Sequence, residues 1–123
     1  MCIEISPLLH SWIIDIDGTI FKHNAHLNGE DVLLDGVQQF WHKIPDEDFI
    51  LLLTARHEKY KDATESALAK YNLRYNKIIF GIPTGERILI NDEKPSGLRT
   101  AIAINIRRDK GLLDNKMIIK NNL

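Results

Sequence analysis

The chain carries short apolar runs separated by polar segments rich in turn-forming residues. Each run is too short for a helix and therefore predicts a buried strand. The run "FILLLTA" is apolar on both faces, as expected of a central parallel strand. The predicted strands are residues 11–16, 49–55, 77–80, 87–90 and 100–106, with a weaker candidate, "MIIK", at residues 117–120.

Two other segments repeat their apolar side chains with the period of a helix. The first is residues 35–44, where Asp35 is placed to cap the start and Pro45 ends the pattern. The second and clearer stripe lies within residues 57–73, at Tyr60, Ala63, Thr64, Ala67, Leu68 and Tyr71. Strands that alternate with helices predict an α/β fold, a three-layer α/β/α sandwich around a mainly parallel sheet.

Length and composition favour a single domain. With 123 residues and 44% hydrophobic residues, the chain is long enough for one core and too short for two ordinary domains. We therefore expect one domain over residues 1–123. After about residue 107, the apolar pattern predicts only the weak strand candidate.

Charge and cysteine content narrow the class of protein. A formal net charge of -1 argues against a partner such as nucleic acid or an anionic membrane. No apolar segment approaches the ~20 residues of a membrane span, and the N-terminus does not resemble a signal peptide. The single cysteine, Cys2, excludes an internal disulfide. These features predict a cytoplasmic protein.

Polar residues follow the predicted strands where each strand ends. Asp15 and Asp17 end the first strand, Thr54 the second, and Asn91 and Asp92 the fourth. Ligands of parallel sheets bind beyond the carboxyl ends of the strands, so these side chains are expected at one edge. Crowded carboxylates favour a divalent cation, and an all-oxygen site suits Mg²⁺.

The two strand-end acids also suit covalent catalysis of phosphoryl transfer. A carboxylate can attack phosphorus and form an acyl-phosphate, which divides one difficult step into two. A second carboxyl group two residues later can protonate the leaving oxygen and then activate water. Gly18 permits the tight turn behind them, where exposed N–H groups can hold phosphate oxygens.

The series "DIDGTI", "LLLTAR" and "ILIND" resembles the motifs of the haloacid dehalogenase superfamily, whose members are mostly Mg²⁺-dependent phosphatases. The similarity spans residues 13–106. The resemblance implies that Asp15 is the nucleophile and a metal ligand. It implies that Asp17 is the general acid/base and binds the metal through its backbone carbonyl, and that Asp92 completes the metal site.

The same resemblance assigns the residues that contact phosphate. Thr54 and the N–H of Ala55 would hold the transferring phosphoryl group. Gly18 and Thr19, in the turn after the nucleophile, would complete the phosphate cradle with nearby backbone N–H groups. Arg56 begins a substrate-facing loop, where contact with substrate and a surface or helix-cap role remain alternatives.

One family feature is missing. The family uses a lysine or arginine to neutralise charge between nucleophile and phosphate, often in an "FGKP"-like turn, and here the turn reads "FGIP" with Ile82 at that position. Without a cation, the transition state would lose electrostatic stabilisation. Lys94 is the preferred substitute, ahead of Lys77 and Arg56.

The chain also leaves no room for a cap domain. Only a short polar stretch follows the first motif, and only one helix lies between the second and third. The stretch "FKHNAHLNGE" (residues 21–30) is expected to form a flap beside the nucleophile. The resemblance thus implies a capless member whose site is open or receives a lid from a neighbouring subunit of a homo-oligomer.

We therefore expect a Mg²⁺-dependent phosphomonoester hydrolase acting on a small phosphorylated metabolite, with a sugar or sugar-acid phosphate suggested by analogy. One alternative is a catalytically weak relative that binds a phosphorylated ligand or partner protein. A second is a phosphatase with a macromolecular substrate such as nucleic-acid ends. A third is a phosphotransferase or mutase that uses the same aspartyl-phosphate.

Overall fold

The computed structural model describes residues 2–122 and shows a small α/β protein with parallel sheets. Within the described residues, three strands form one sheet, two more strands form a second, and two α-helices join the strands of the first. The elements are β1 (Cys2–Ile5), β2 (Ser11–Asp15), α1 (Val37–Lys43), β3 (Phe49–Leu53), α2 (Lys61–Lys70), β4 (Lys77–Ile79) and β5 (Lys116–Ile119).

The first sheet has the strand order β2–β3–β4, with every neighbouring pair parallel. The apolar run that predicted a central strand is β3, which lies between the other two. The register pairs Asp15 with Leu53 and Leu53 with Ile79, so the three carboxyl ends lie side by side. This confirms the parallel sheet expected from alternating strands and helices.

The two helices are amphipathic elements that connect the strands. Helix α1 buries Val37, Phe40 and Trp41, and α2 buries Thr64 and Leu68, as their spacing predicts. The residue at the N-terminus of α1 is Gly36, in the left-handed region at φ +78°, and no side chain caps that end. The expectation that Asp35 caps α1 is therefore wrong.

The C-terminal segment packs against the rest of the chain through a second sheet. Strand β5 pairs in parallel with β1, with Ile3 opposite Met117. Upstream of β5, the N–H of Leu112 donates to the carbonyl of Asp35 at 2.7 Å. A Cβ on Gly111 would lie 2.0 Å from that carbonyl oxygen, so this close approach requires glycine. The weak "MIIK" prediction corresponds to β5, whereas β1 was not predicted.

The core lies on one face of the first sheet. Alternate residues of a strand share a face, and Ile50 and Leu52 of β3 are fully buried. On the opposite face, Ile13 and Ile79 remain half-exposed. The buried apolar residues are Ile3, Ile5, Ile16, Ile20, Phe21, Leu34, Val37, Phe40, Trp41, Ile44, Ile50, Leu52, Leu68, Leu73 and Leu112.

The strands predicted at residues 87–90 and 100–106 are not found; both segments are irregular. Ile88 and Ile90 are 83% and 91% exposed. Their neighbourhood is held instead by two bonds to Thr100, whose carbonyl accepts from the Asn91 amide and whose hydroxyl donates to the Asp92 carbonyl. An apolar run becomes a strand only when a neighbouring strand accepts its backbone hydrogen bonds, and these segments have no such neighbour in the described chain.

Candidate active site

The turn after β2 presents two aspartates at the carboxyl edge of the sheet. Ile16, between them, is fully buried and its carbonyl accepts from the N–H of Ile20 at 2.9 Å. Gly18 lies at φ +82°, and its N–H donates to the Phe21 carbonyl at 2.7 Å. This positive φ is a conformation that L side chains rarely adopt, which explains glycine at this position. The tight turn places Asp15 and Asp17 in different surroundings.

Asp15 is the accessible carboxylate of the pair. Its side chain is 33% exposed. One oxygen, Oδ2, accepts a bond from Thr19 Oγ1 at 3.2 Å, and the other, Oδ1, accepts from Arg87 Nη1 at 2.7 Å. A carboxylate that is reachable by solvent and paired with a cation is available both as a nucleophile and as part of an anion-binding site.

Asp17 is held from both sides. Its Oδ2 accepts a bond from the buried Thr54 hydroxyl at 2.7 Å, and its Oδ1 accepts from Arg56 Nε at 2.8 Å. The Thr54 hydroxyl also accepts the N–H of Arg56 at 3.0 Å. The ends of β2 and β3 therefore meet as the sequence predicts, and Thr54 fixes the second carboxylate in place.

Arg56 is the centre of a buried polar cluster. Its Nη1 and Nη2 donate to the two carboxylate oxygens of Asp31 at 2.9 and 2.7 Å, and Nη1 also reaches Thr64 Oγ1 at 2.9 Å. Burial alone would lower the pKa of Arg56, but the hydrogen bonds and charges of Asp31 and Asp17 raise it above its ordinary value. Arg56 therefore stays charged and is fully engaged by the chain itself.

The stretch expected as a flap, residues 21–30, falls largely within a loop of residues 22–32, here called the flap loop. It is closed at its base by an antiparallel bridge between Phe21 and Leu33. His26 of this loop packs edge-on against Tyr60, with ring centroids 4.8 Å apart. Burial and the nearby charge of Arg56 lower the pKa of His26. Its buried Nδ1 has no hydrogen-bond partner among residues 2–122.

The C-terminal segment braces the turn that carries the aspartates. The N–H of Asp109 donates to the Gly18 carbonyl at 2.9 Å, and Asp109 Oδ1 accepts the N–H of His23 at 2.8 Å. A Cβ on Gly18 would meet Arg108 Cγ at 3.1 Å. The turn and the flap loop are thus tied to the same short segment near the C-terminus.

Three predicted residues have no hydrogen bond or ion pair with this cluster in the part of the chain that the structure describes: Asp92, Lys94 and Lys77. Asp92 and Lys94 lie in the exposed segment, where the Lys94 carbonyl accepts the N–H of Gly97 at 2.9 Å. Lys77 is the first residue of β4 and lies opposite Leu51, two residues before the carboxyl end of β3. The cation that contacts the predicted nucleophile is Arg87.

The residues expected to bind phosphate have mixed surroundings. Thr19 contacts the Asp15 carboxylate, and Ala55 is exposed beside Thr54. The Gly18 N–H is used within the turn, and the Arg56 guanidinium is buried. Of the four, Thr19 is the one with a hydrogen bond to the Asp15 carboxylate among the described residues.

The residues predicted to bind Mg²⁺ fit the metal by chemistry but not by position. Asp15, Asp17 and Asp92 offer oxygen ligands, which Mg²⁺ prefers. However, no group of three His, Cys, Asp or Glu side chains in residues 2–122 is arranged to hold a metal ion. Asp92 lies among the exposed residues 83–97. Within residues 2–122, the three predicted ligands are therefore not gathered into one group.

Three residues of this region were not predicted from the sequence: Asp31, Arg87 and Asp109. The bonds of Asp31 to Arg56 and of Arg87 to Asp15 span 25 and 72 positions of the sequence, so no local spacing signals them. Asp31 follows a polar stretch and reads as a turn residue, and Arg87 opens an apolar run. Asp109 lies in a tail without pattern.

Comparisons with protein-family models, curated proteins and solved structures found no match to this chain. In the part of the chain that the structure describes, neither helix has the length and apolar character required to cross a membrane.

Proposed function

We propose that this protein is a phosphomonoester hydrolase of the haloacid dehalogenase type, with a three-layer α/β/α fold and no cap domain. The observation that carries the proposal is the solvent-reachable Asp15 carboxylate at the carboxyl end of β2, paired with Arg87 and adjacent to the immobilised Asp17. The proposed substrate is a small phosphorylated metabolite, such as a sugar or sugar-acid phosphate.

In the proposed reaction, Asp15 attacks the phosphorus atom of the ester. The bond between phosphorus and the leaving oxygen breaks, and Asp17 supplies the proton that this oxygen takes up, leaving an aspartyl-phosphate on Asp15. Water then attacks the same phosphorus and gives its proton back to Asp17, which releases inorganic phosphate and restores both acids. The contacts of Asp17 with Thr54 and Arg56 hold it in the orientation that these two transfers need.

In the proposal, Arg87 provides the positive charge that Ile82 cannot supply. Its guanidinium is already 2.7 Å from Asp15, so a phosphoryl group bound there would share the same positive charge. Fixed charge aimed at the developing negative charge of the transition state is usually the largest contribution to such catalysis. In the proposal Arg87 therefore replaces Lys94, for which no hydrogen bond or ion pair to Asp15 is found among the described residues.

A requirement for Mg²⁺ belongs to the proposal and comes from the oxygen-rich donors Asp15, Asp17 and Asp92. Bound Mg²⁺ would supply charge neutralisation on the phosphate. Because Asp92 is not gathered with the other two acids, no step of the reaction is assigned to the metal.

The proposal is tested by phosphate release from a panel of phosphomonoesters, with and without Mg²⁺. The wild type is compared with Asp15→Asn and with Asp46→Asn, a matched control on an exposed turn residue. Release that depends on Mg²⁺, disappears in Asp15→Asn and persists in Asp46→Asn supports the hydrolase. Release that survives in Asp15→Asn contradicts it.

One alternative function is favoured by a specific observation. The exposed position of Asp92 and Lys94, with Ile82 in the "FGIP" turn, describes a site that lacks part of its catalytic set. Such a protein would bind a phosphorylated ligand without hydrolysing it. Calorimetric binding of inorganic phosphate by a wild type that releases none from any ester would support this alternative.

A further inference from the structure

The flap loop contributes one acid that the proposed reaction does not use. The side chain of Asp31 is only 3% exposed, although loop residues on both sides of it are exposed or half-buried. Burying a carboxylate is costly unless it is paired and hydrogen-bonded. Asp31 meets this requirement through both of its oxygens, which accept from the two terminal nitrogens of Arg56.

Arg56 connects Asp31 with Asp17. A guanidinium is planar and rigid, so fixing its two terminal nitrogens also fixes the direction in which Nε–H points. In this structure Nε points at Asp17 Oδ1 at 2.8 Å. A side chain on the flap loop thus sets the orientation of the group that holds the second aspartate.

We propose that Asp31 is a positioning residue: its two bonds to Arg56 aim Nε at Asp17, so that docking of the flap loop and orientation of the Asp17 carboxylate are one event. This inference rests on the proposed function, because its consequence is the delivery of a proton by Asp17 to the leaving oxygen. Asp31 itself touches neither Asp15 nor Asp17 in any contact of the described chain.

The competing role for Asp31 is a staple that only stabilises the fold. The two roles differ in which substrates they affect. An alkyl phosphate needs a proton on its leaving oxygen, whereas the para-nitrophenolate ion leaves without one. Loss of Asp17 orientation therefore slows the alkyl ester selectively, whereas loss of folded protein slows both esters equally.

The experiment compares kcat/KM for an alkyl phosphate and for para-nitrophenyl phosphate, because this constant reports the steps up to formation of the aspartyl-phosphate. The variant is Asp31→Asn, which keeps the size of the side chain but removes the charge. The matched control is Glu30→Gln, the neighbouring acid, which is 92% exposed. Thermal unfolding of each variant gives the folded fraction.

Asp31→Asn is expected to lower kcat/KM for the alkyl ester at least about tenfold, part of the 10²–10⁴-fold that a positioned acid contributes. It is expected to change the aryl ester by less than about threefold, and Glu30→Gln is expected to match the wild type for both. Arg56→Lys, which keeps the charge without the planar fork, is expected to reproduce the selective loss.

Equal losses for both esters, or no loss for either, overturn the role of Asp31 while leaving the hydrolase intact. If neither Asp31→Asn nor Arg56→Lys folds, the pair is a structural staple and the inference also fails. A wild type that releases phosphate from neither ester overturns the proposed function and the role of Asp31 together.

Discussion

Two polar clusters lie at opposite ends of the same parallel sheet, and each holds an aspartate by hydrogen bonds. At the amino end, Asp48 directly precedes β3 and is fully buried. It accepts the N–H of His10 at 3.0 Å, His10 Nδ1 at 2.7 Å and Trp12 Nε1 at 2.9 Å. At the carboxyl end, Asp17 is held as firmly by Thr54 and Arg56.

The two clusters differ in what lies beside them. Every neighbour of Asp48 that the structure records is a group of the chain that stabilises its charge. Burial would raise the pKa of Asp48, but the hydrogen bonds from Trp12 and His10 outweigh burial and lower it. Both aspartates follow an accessible acid two residues earlier, Asp46 before Asp48 and Asp15 before Asp17, but among the described residues only Asp15 is paired with a cation, Arg87. Under the proposed function, the feature that distinguishes the carboxyl-end cluster is therefore the ion pair between the accessible Asp15 and Arg87.

The largest expected effect is a loss of activity caused by a substitution at the carboxyl end of the sheet. Asp15→Asn should lower phosphate release at least about 1,000-fold, because the amide cannot attack phosphorus. It should leave thermal unfolding nearly unchanged, since Asp15 is partly exposed. Steady-state kinetics and a melting curve on the same preparation test both halves. If the loss of activity were fully explained by a lower melting temperature, the distinction between the two clusters would be removed.

The next effect concerns the cation. Arg87→Ala should lower kcat about 100-fold, equivalent to about 2.7 kcal/mol, because the nucleophile and the phosphoryl group lose their nearest positive charge. Lys94→Ala should change kcat less than about threefold. The reverse ranking of the two variants would return the role to Lys94. Higher activity in Arg87→Ala would mean that Arg87 only blocks Asp15.

At the amino end, the expected loss is in stability. Asp48→Asn should lower the free energy of unfolding by about 2 kcal/mol. The amide nitrogen of asparagine is a donor, so it cannot accept the hydrogen bond that the carboxylate oxygen at this position accepts. For a chain of this size that corresponds to a decrease of about 8 °C in the melting temperature. Phosphate release per folded molecule should be unchanged. Asp46→Asn, two residues away and exposed, is the control for chemical denaturation.

The sequence predicts a strand correctly when another strand is present to accept the backbone hydrogen bonds of that segment. Both helices lie close to their predicted ranges, because each is specified by its own apolar pattern. The same holds for strands β2, β3 and β4, and each of these pairs with the strand next to it along the chain. The segments at residues 87–90 and 100–106 have equally apolar sequences but no strand beside them. An apolar pattern identifies a segment that can be buried and cannot identify its neighbour.

The residues of the candidate site also fall into those that the sequence could place and those that it could not. Asp15, Asp17 and Thr54 could be placed together because adjacent parallel strands end at one edge. Asp92 and Lys94 were placed there on the assumption that residues 87–90 form a strand. Asp31 and Arg87 make their contacts through side chains distant in sequence, and only the folded chain reveals them.

The smallest expected effect is a pH dependence of the unfolding free energy at the amino-end cluster. A group whose pKa is lower in the folded state contributes stability above its unfolded pKa, about 3.9 for aspartate, and loses that contribution as the pH falls through the folded value. The pKa of Asp48 is lowered, so the difference in unfolding free energy between wild type and Asp48→Asn should be constant above about pH 5 and narrow below about pH 4. Urea denaturation of both proteins at pH 6 and pH 3 measures the two differences. A gap that widens in acid would mean that burial, rather than the bonds from Trp12 and His10, dominates at Asp48, and the two clusters would then differ in their electrostatics as well as in their neighbours.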